Sequence, residues 1–215
     1  MSKILRQVFN LYKIAGGKTY IGEHINQVQH GAQAAMLAEE EGYPKSVILA
    51  AFLHDVGHIT HAGYGDTKGR KTRLRFTHDL TERAVALPEN QQMKEFGRVK
   101  HEEIGANFLR SYFFPHITCD LVAGHVQAKR YKVTTDEAYY DTLSEASKQT
   151  LEFQGGRMSN DELNTFWNDP LWETHLKMRE WDDQAKSTVP ALLAEIEEMD
   201  PIEAYYEMAC KVVPT

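Results

Sequence analysis

The chain has 215 residues, 42% of them hydrophobic and 26% charged, the mixture of a globular protein of about one domain rather than of a disordered chain. Its 31 acidic residues outweigh 24 basic ones for a net charge of −7, which withholds the general attraction a nucleic acid would need. No apolar stretch approaches the roughly 20 residues of a membrane span, the N-terminus has no hydrophobic signal core, and Cys119 and Cys210 make no disulfide framework. A single domain over 1–215, cytoplasmic and without nucleic-acid or membrane partners, is the expectation.

In chain order, residues 3–15 read as an amphipathic helix ended by Gly16-Gly17. Residues 22–41 form a second helix with Gly42 in the C′ position. Pro44 opens a third, with Val47, Ile48, Ala51 and Phe52 at helical spacing, ending near Gly57. The stretch from about 60 to 100 is polar, basic in part and poorly periodic, and reads as an insertion with one or two short helices. Further helices are predicted near 100–111, 116–128, 136–141, 144–153, 160–167 and 170–186. A helical tail follows over 188–215, with helices near 188–198 and 201–212 marked by Pro190 and Pro201. No stretch alternates as a strand would, so the fold class is all-α.

Ten histidines matter only through their placement, since a lone imidazole is more often a core or surface residue than a ligand. His54 and Asp55 adjoin within the apolar run AAFLHDVGH, where burying both is costly unless something compensates them. A metal does so by taking both as ligands. His58 follows four residues after His54, one helical turn on and on the same side. Upstream, Tyr20, Glu23, Gln27 and His30 would share one face of a continuous helix. His101 and His125 start and end another pair of helices. Late in the chain His175, Arg179 and Asp182 lie on one face at i, i+4 and i+7, while Asp183 is expected to point away toward solvent. Imidazole and carboxylate ligands without thiolate suit iron, manganese or zinc alike.

The order His30, His54-Asp55, His101, His125, Asp182 is similar to the H…HD…H…H…D series of the HD-domain superfamily. A narrower likeness lies in YIGEHINQVQH (20–30), AFLHDVGH (51–58), GHVQAKRY (124–131), the S-x-x-T-L-x-x-Q-G-G of 147–156 and the R-x-W-D-D-x-A-K of 179–186. Together these resemble the phosphonate-degrading HD-domain mixed-valent diiron oxygenases, the PhnZ-like and TmpB-like enzymes, distant relatives of myo-inositol oxygenase. The likeness covers most of residues 18–186, and the Tyr-x-x-Glu before the first histidine is its most specific element.

This resemblance implies an HD-domain helical bundle around a dinuclear site, with two iron ions as an Fe(II)/Fe(III) pair and O2 as co-substrate. The implied substrate is a small organophosphonate, a 1-hydroxy-2-aminoethylphosphonate or its N-methylated analogue, cleaved at the C–P bond to phosphate and an amino acid or betaine. It assigns His30, His54, Asp55 and Asp182 to the first iron, and Asp55, His101 and His125 to the second. Tyr20 would occupy the open position on the first iron at rest and leave with Glu23 when substrate arrives. His58, Lys129, Ser147, Thr150 and Arg179 would grip the phosphonate. Cations, hydroxyls and an imidazole suit a tetrahedral dianion. On residue type alone, Lys129 reads equally as a solvated helix-end cation. Rival readings are an HD phosphohydrolase, a metal-stabilised sensor without turnover, and a polyol oxygenase. The 60–100 insertion could serve as a lid or a homo-oligomer contact, and the N-substituent of the substrate is not legible.

Overall fold

Seven successive residues, from Val47 to Leu53, are buried, so the helix that carries them has no solvent face and must be surrounded. It is the centre of the computed structural model, which describes residues 2–17, 24–60 and 100–214. Among these residues the fold is helical without a β-strand, in keeping with the all-α reading. The elements are α1 (Ser2–Ala15), α2 (Gln27–Glu40), α3 (Lys45–Leu53), a 3-10 turn (Val56–His58), α4 (His101–Ser111), α5 (His116–Thr135), α6 (Glu137–Thr142), α7 (Glu145–Phe153), α8 (Asn160–Trp167), α9 (Trp172–Gln184), α10 (Pro190–Met199) and α11 (Pro201–Val212). None is long and apolar enough to cross a membrane.

Phe52 of α3 anchors the core. Its ring lies 6.2 Å from Phe9, 4.9 Å from Tyr12 and 4.5 Å from Tyr205, which ties α1 and α11 to the central helix. Arg6 fastens the same two outer helices, lying over the Tyr206 ring at 3.4 Å and donating from Nη2 to Glu203 at 2.8 Å. On the other flank α3 packs against α2 and α5, and α9 packs against both of these. Four helices thus converge where α3 ends.

Three boundaries depart from the sequence reading, each for a local reason. Helix α2 begins at Gln27, not 22, because Asn26 caps it: its side chain accepts from the Gln29 amide at 2.8 Å, and Gln29 Oε1 accepts from the Asn26 amide at 3.0 Å. Residues 24–26 are therefore not helical, and no continuous helical stripe joins Tyr20 to His30. Helix α5 runs on to Thr135 rather than stopping near 128, since Val133 is fully buried, and His125 falls mid-helix. Helix α3 stops at Leu53, and Asp55 takes φ −98° and ψ 9°, the bridge region where turns begin.

The 3-10 turn then meets α4 at van der Waals limits. A Cβ on Gly57 would sit 1.9 Å from the His101 carbonyl oxygen and 3.0 Å from the Gly105 amide nitrogen. Only backbone lies there, so nothing flexible can yield. Gly57→Ala is expected to cost about 1–3 kcal/mol or more, the usual range for forced overpacking, read as a fall in urea midpoint at constant m-value. An unchanged midpoint would mean that α4 does not approach the turn this closely.

Candidate metal centre

The helix ends around α3 deliver six polar side chains to one place. His30 comes from α2, His54 and Asp55 from the two residues after α3, His101 from the first position of α4, His125 from the middle of α5 and Asp182 from α9. None is more than 6% exposed, so water does not satisfy them.

They form two groups joined by one carboxylate. In the first, His30 Nε2 lies 3.1 Å from His54 Nε2 and 3.3 Å from Asp182 Oδ1. In the second, His101 Nε2 lies 3.0 Å from His125 Nε2 and 3.3 Å from Asp55 Oδ1. Asp55 faces both: Oδ1 is also 3.7 Å from His125 Nε2, while Oδ2 is 3.6 Å from His54 Nε2 and 3.9 Å from His30 Nε2.

The tautomers decide what this arrangement can hold. Nδ1 of His30 lies 2.8 Å from the Ala185 carbonyl oxygen, that of His54 2.8 Å from Ala51, and that of His125 2.8 Å from Val122. A carbonyl oxygen only accepts, so each Nδ1 carries the proton and donates. His101 turns its Nδ1 toward the Glu102 carboxylate at 3.5 Å. The four Nε2 atoms face one another in pairs, beside two carboxylates; against the effect of burial, Asp182 draws the pKa of His30 up and Asp55 that of His101. Although burial favours their neutral forms, His54 next to Asp55 and Arg179 next to Asp182 hold both carboxyls well below the usual range. Burial, with His101 and His54, keeps His125 neutral.

Ring nitrogens and carboxylates buried together at this spacing call for cations. Donors on adjacent corners of an ion with bonds of about 2.1 Å stand about 3 Å apart, the spacing found in each group. His30, His54 and Asp182 could hold one ion, and Asp55, His58 and His101 another, with His125 beside the second. Asp55 Oδ2 is buried and has no hydrogen-bond partner, as a carboxylate kept for an ion would be. The residues fit a pair of iron ions, and on donor type they fit manganese or zinc as well.

His58 does not stack above His54 as the four-residue spacing suggested. The helix ends before it, and the 3-10 turn swings it to the second group, where its ring lies 4.0 Å from His101 at 18° and Nε2 is 3.8 Å from Asp55 Oδ1. His175 shares α9 with Arg179 and Asp182 but joins neither group. It stands over Gly124, with Nε2 3.5 Å from Asp169. Tyr20 and Glu23 lie outside the described residues.

Lys129 is not a solvated helix-end cation. It is 3% exposed, one turn beyond His125, and its Nζ donates to Thr150 Oγ1 at 3.1 Å and to the Ser147 carbonyl at 3.4 Å. Among the described residues no carboxylate lies within ion-pair distance of it, and burial, then the nearby Arg179, push its pKa down to about 7. Ser147 thus meets Lys129 through its backbone, while its hydroxyl accepts from Ser144 at 3.2 Å. Arg179 donates to Asp182 Oδ2 at 2.8 Å. Asp183, expected in solvent, instead binds Arg179 and accepts from the Tyr139 hydroxyl at 2.5 Å. Tyr139 carries no signal in the sequence, because it reaches the site through the Asp136 cap that starts α6.

Comparison with known proteins fits this geometry. The sequence matches the family described as HD domain over residues 22–153. The chain belongs to the HD-domain family. The matched segment contains His30, His54-Asp55, His101 and His125, and α9 adds Asp182 from beyond it. Over 183 residues, 85% of this chain and 80% of the relative, this HD-domain protein is 33% identical to (1-hydroxy-2-(trimethylamino)ethyl)phosphonate dioxygenase (glycine-betaine-forming) of Leisingera caerulea. It is 34% identical over 170 residues to hydroxymethylphosphonate dioxygenase of Gimesia maris, covering 79% of this chain and 72% of that protein. An uncharacterised protein of Acanthamoeba polyphaga mimivirus is 38% identical over 189 residues, 86% of this chain and 75% of its own.

Glu102 is 7% exposed and its Oε2 stands 3.5 Å from His101 Nδ1, near enough for an ion pair that would orient the ring once a metal is bound. Removing such an orienting partner commonly costs 10–100-fold in metal affinity. Glu102→Ala should therefore weaken one of two Mn(II) sites by about that factor in an EPR titration. Two unaltered sites would refute the role.

Proposed function

We propose that this protein is an iron-dependent oxygenase that cleaves the C–P bond of a 1-hydroxyphosphonate with O2, yielding phosphate and a carboxylate. The observation that carries the reading is Lys129, a buried cation with neutral partners, beside Arg179 and one turn from His125. A buried ammonium of this kind is costly, and a phosphonate dianion would compensate it. The two phosphonate dioxygenases among the relatives support the same chemistry.

In this reading His30, His54, Asp55 and Asp182 hold one iron, and Asp55, His101 and His125 the other. The pair supplies Lewis acidity and O2 activation when bound. Lys129, Arg179 and Thr150 bind the phosphonate and fix its orientation, so that C1 and its hydroxyl face the ion groups. His58, against Asp55 and His101, closes the same end, and Ser147 positions the Lys129 ammonium through its carbonyl. Tyr20 and Glu23 would guard the position that substrate takes on the first iron. The stoichiometry closes without another reductant: one O2 accepts four electrons, C1 rises to carboxyl level, and as the C–P bond breaks one oxygen atom forms a new C–O bond and the other a new P–O bond, giving carboxylate, phosphate and a proton. The relatives differ in what their substrates carry beyond C1. The expected substrates here are 1-hydroxy-2-aminoethylphosphonate and its N-methylated forms, giving glycine or a betaine.

Iron-reconstituted protein mixed with these phosphonates should consume O2 and release phosphate in equal amounts. Phosphate released equally well under anaerobic conditions would make the protein a phosphohydrolase. Lys129→Met should keep the fold and lower kcat/KM at least about 30-fold, as loss of one partner from a buried charged contact does. The pH dependence follows from the same residue. Lys129, faced by Arg179, Asp182, Asp183 and Lys186, has its pKa pushed to about 7, so it is charged below that value and neutral above. The kcat/KM should decline as pH rises above about 7, and Lys129→Arg should remove the decline. A flat profile in the unaltered enzyme would contradict the anion-binding role.

A further inference from the structure

Arg179 is 3% exposed, and Asp182 occupies only part of its guanidinium. Nε–H is shared between the Tyr139 hydroxyl at 2.7 Å and Asp183 Oδ2 at 3.1 Å, Nη2 binds Asp183 Oδ1, and Nη1 binds Asp182 Oδ2. Tyr139 in turn donates to Asp183 Oδ2. A guanidinium has five N–H groups in a rigid fork, so one remains on each terminal nitrogen.

We propose that Asp183 and Tyr139 are positioning residues for Arg179: they lock its Nε edge so that one terminal nitrogen steadies Asp182 and the remaining N–H groups meet the anionic end of the substrate. The inference rests on the phosphonate reading for its ligand but not for its geometry. Asp183 takes the fork side-on through two oxygens, the bidentate arrangement that fixes the plane of the group. Tyr139, buried on α6, prevents the carboxylate from swinging toward solvent. Without the pair, Arg179 would be anchored by Asp182 alone and could fold both terminal nitrogens onto it, leaving Lys129 without Arg179 as a second cation toward the anion. Asp182 gains as well, since a guanidinium held elsewhere leaves Oδ1 directed at His30, 3.3 Å away. Asp183 follows a ligand in sequence, and its three-way contact with Arg179 and Tyr139 gives it a use that solvent exposure would not.

The test titrates inorganic phosphate calorimetrically into iron-loaded protein, with steady-state kinetics and thermal unfolding on the same samples. Asp183→Ala should weaken phosphate binding and raise KM for the phosphonate together by about tenfold or more, the usual value of a hydrogen bond to a charged group, with kcat changed less. Asp183→Asn, which keeps an oxygen for Nε–H, should restore part of both. Tyr139→Phe should shift both in the same direction by less. If the variants unfold at lower temperature while phosphate affinity and KM stay unchanged, the trio is only a cross-link between α6 and α9, and the proposal falls. It falls too if the unaltered protein does not bind phosphate. Phosphate binding that responds as expected in a protein without O2-dependent turnover would keep the positioning role and discard the oxygenase.

Discussion

Nitrogen lone pairs do not meet at 3 Å inside a protein without something positive to share. That constraint organises this molecule. The carbonyls of Ala185, Ala51 and Val122 accept from Nδ1 of His30, His54 and His125, which leaves the opposite nitrogens turned inward. Two of the carbonyls lie three residues back, in α3 and α5, and the third belongs to Ala185 just past α9, where a helix leaves carbonyls without an intrahelical partner. The backbone thus chooses the tautomer before any ligand arrives, and Asp55 supplies one oxygen to each side.

The rest of the fold is arranged to hold those side chains still. Helix α3 is buried from Val47 to Leu53, so its end is fixed by Phe52 and its aromatic neighbours rather than by the site itself. Ending α3 at Leu53 lets successive residues serve different groups, with His54 nearer the first and Asp55 reaching both. The close crossing at Gly57 places the first turn of α4 where His101 can reach Asp55 Oδ1. Around this acidic, nitrogen-rich centre, Lys129 and Arg179 form a cationic border on one side, and neither is within easy reach of water.

The ligand series was legible in the sequence because it depends on residue identity and on helices long enough to read by period. His30, His54, Asp55, His101, His125 and Asp182 lie together in the structure. What the sequence obscured were places where local hydrogen bonds override periodicity. The Asn26 cap begins α2 later than the apolar pattern does. The turn after Leu53 redirects His58. On residue type Lys129 read equally as a solvated helix end, because α5 was expected to stop near 128 where it in fact continues into a buried Val133. Asp183 was assigned to solvent by helical geometry alone, which cannot show that α6 brings Tyr139 over it.

The account stands on two cations sharing Asp55. Crystals of iron-loaded protein measured at the iron absorption edge would show this most directly. Two anomalous peaks are predicted about 3.5–4 Å apart, one within bonding distance of each Asp55 oxygen. A single peak, or peaks that leave His101 and His125 without an ion, would contradict it.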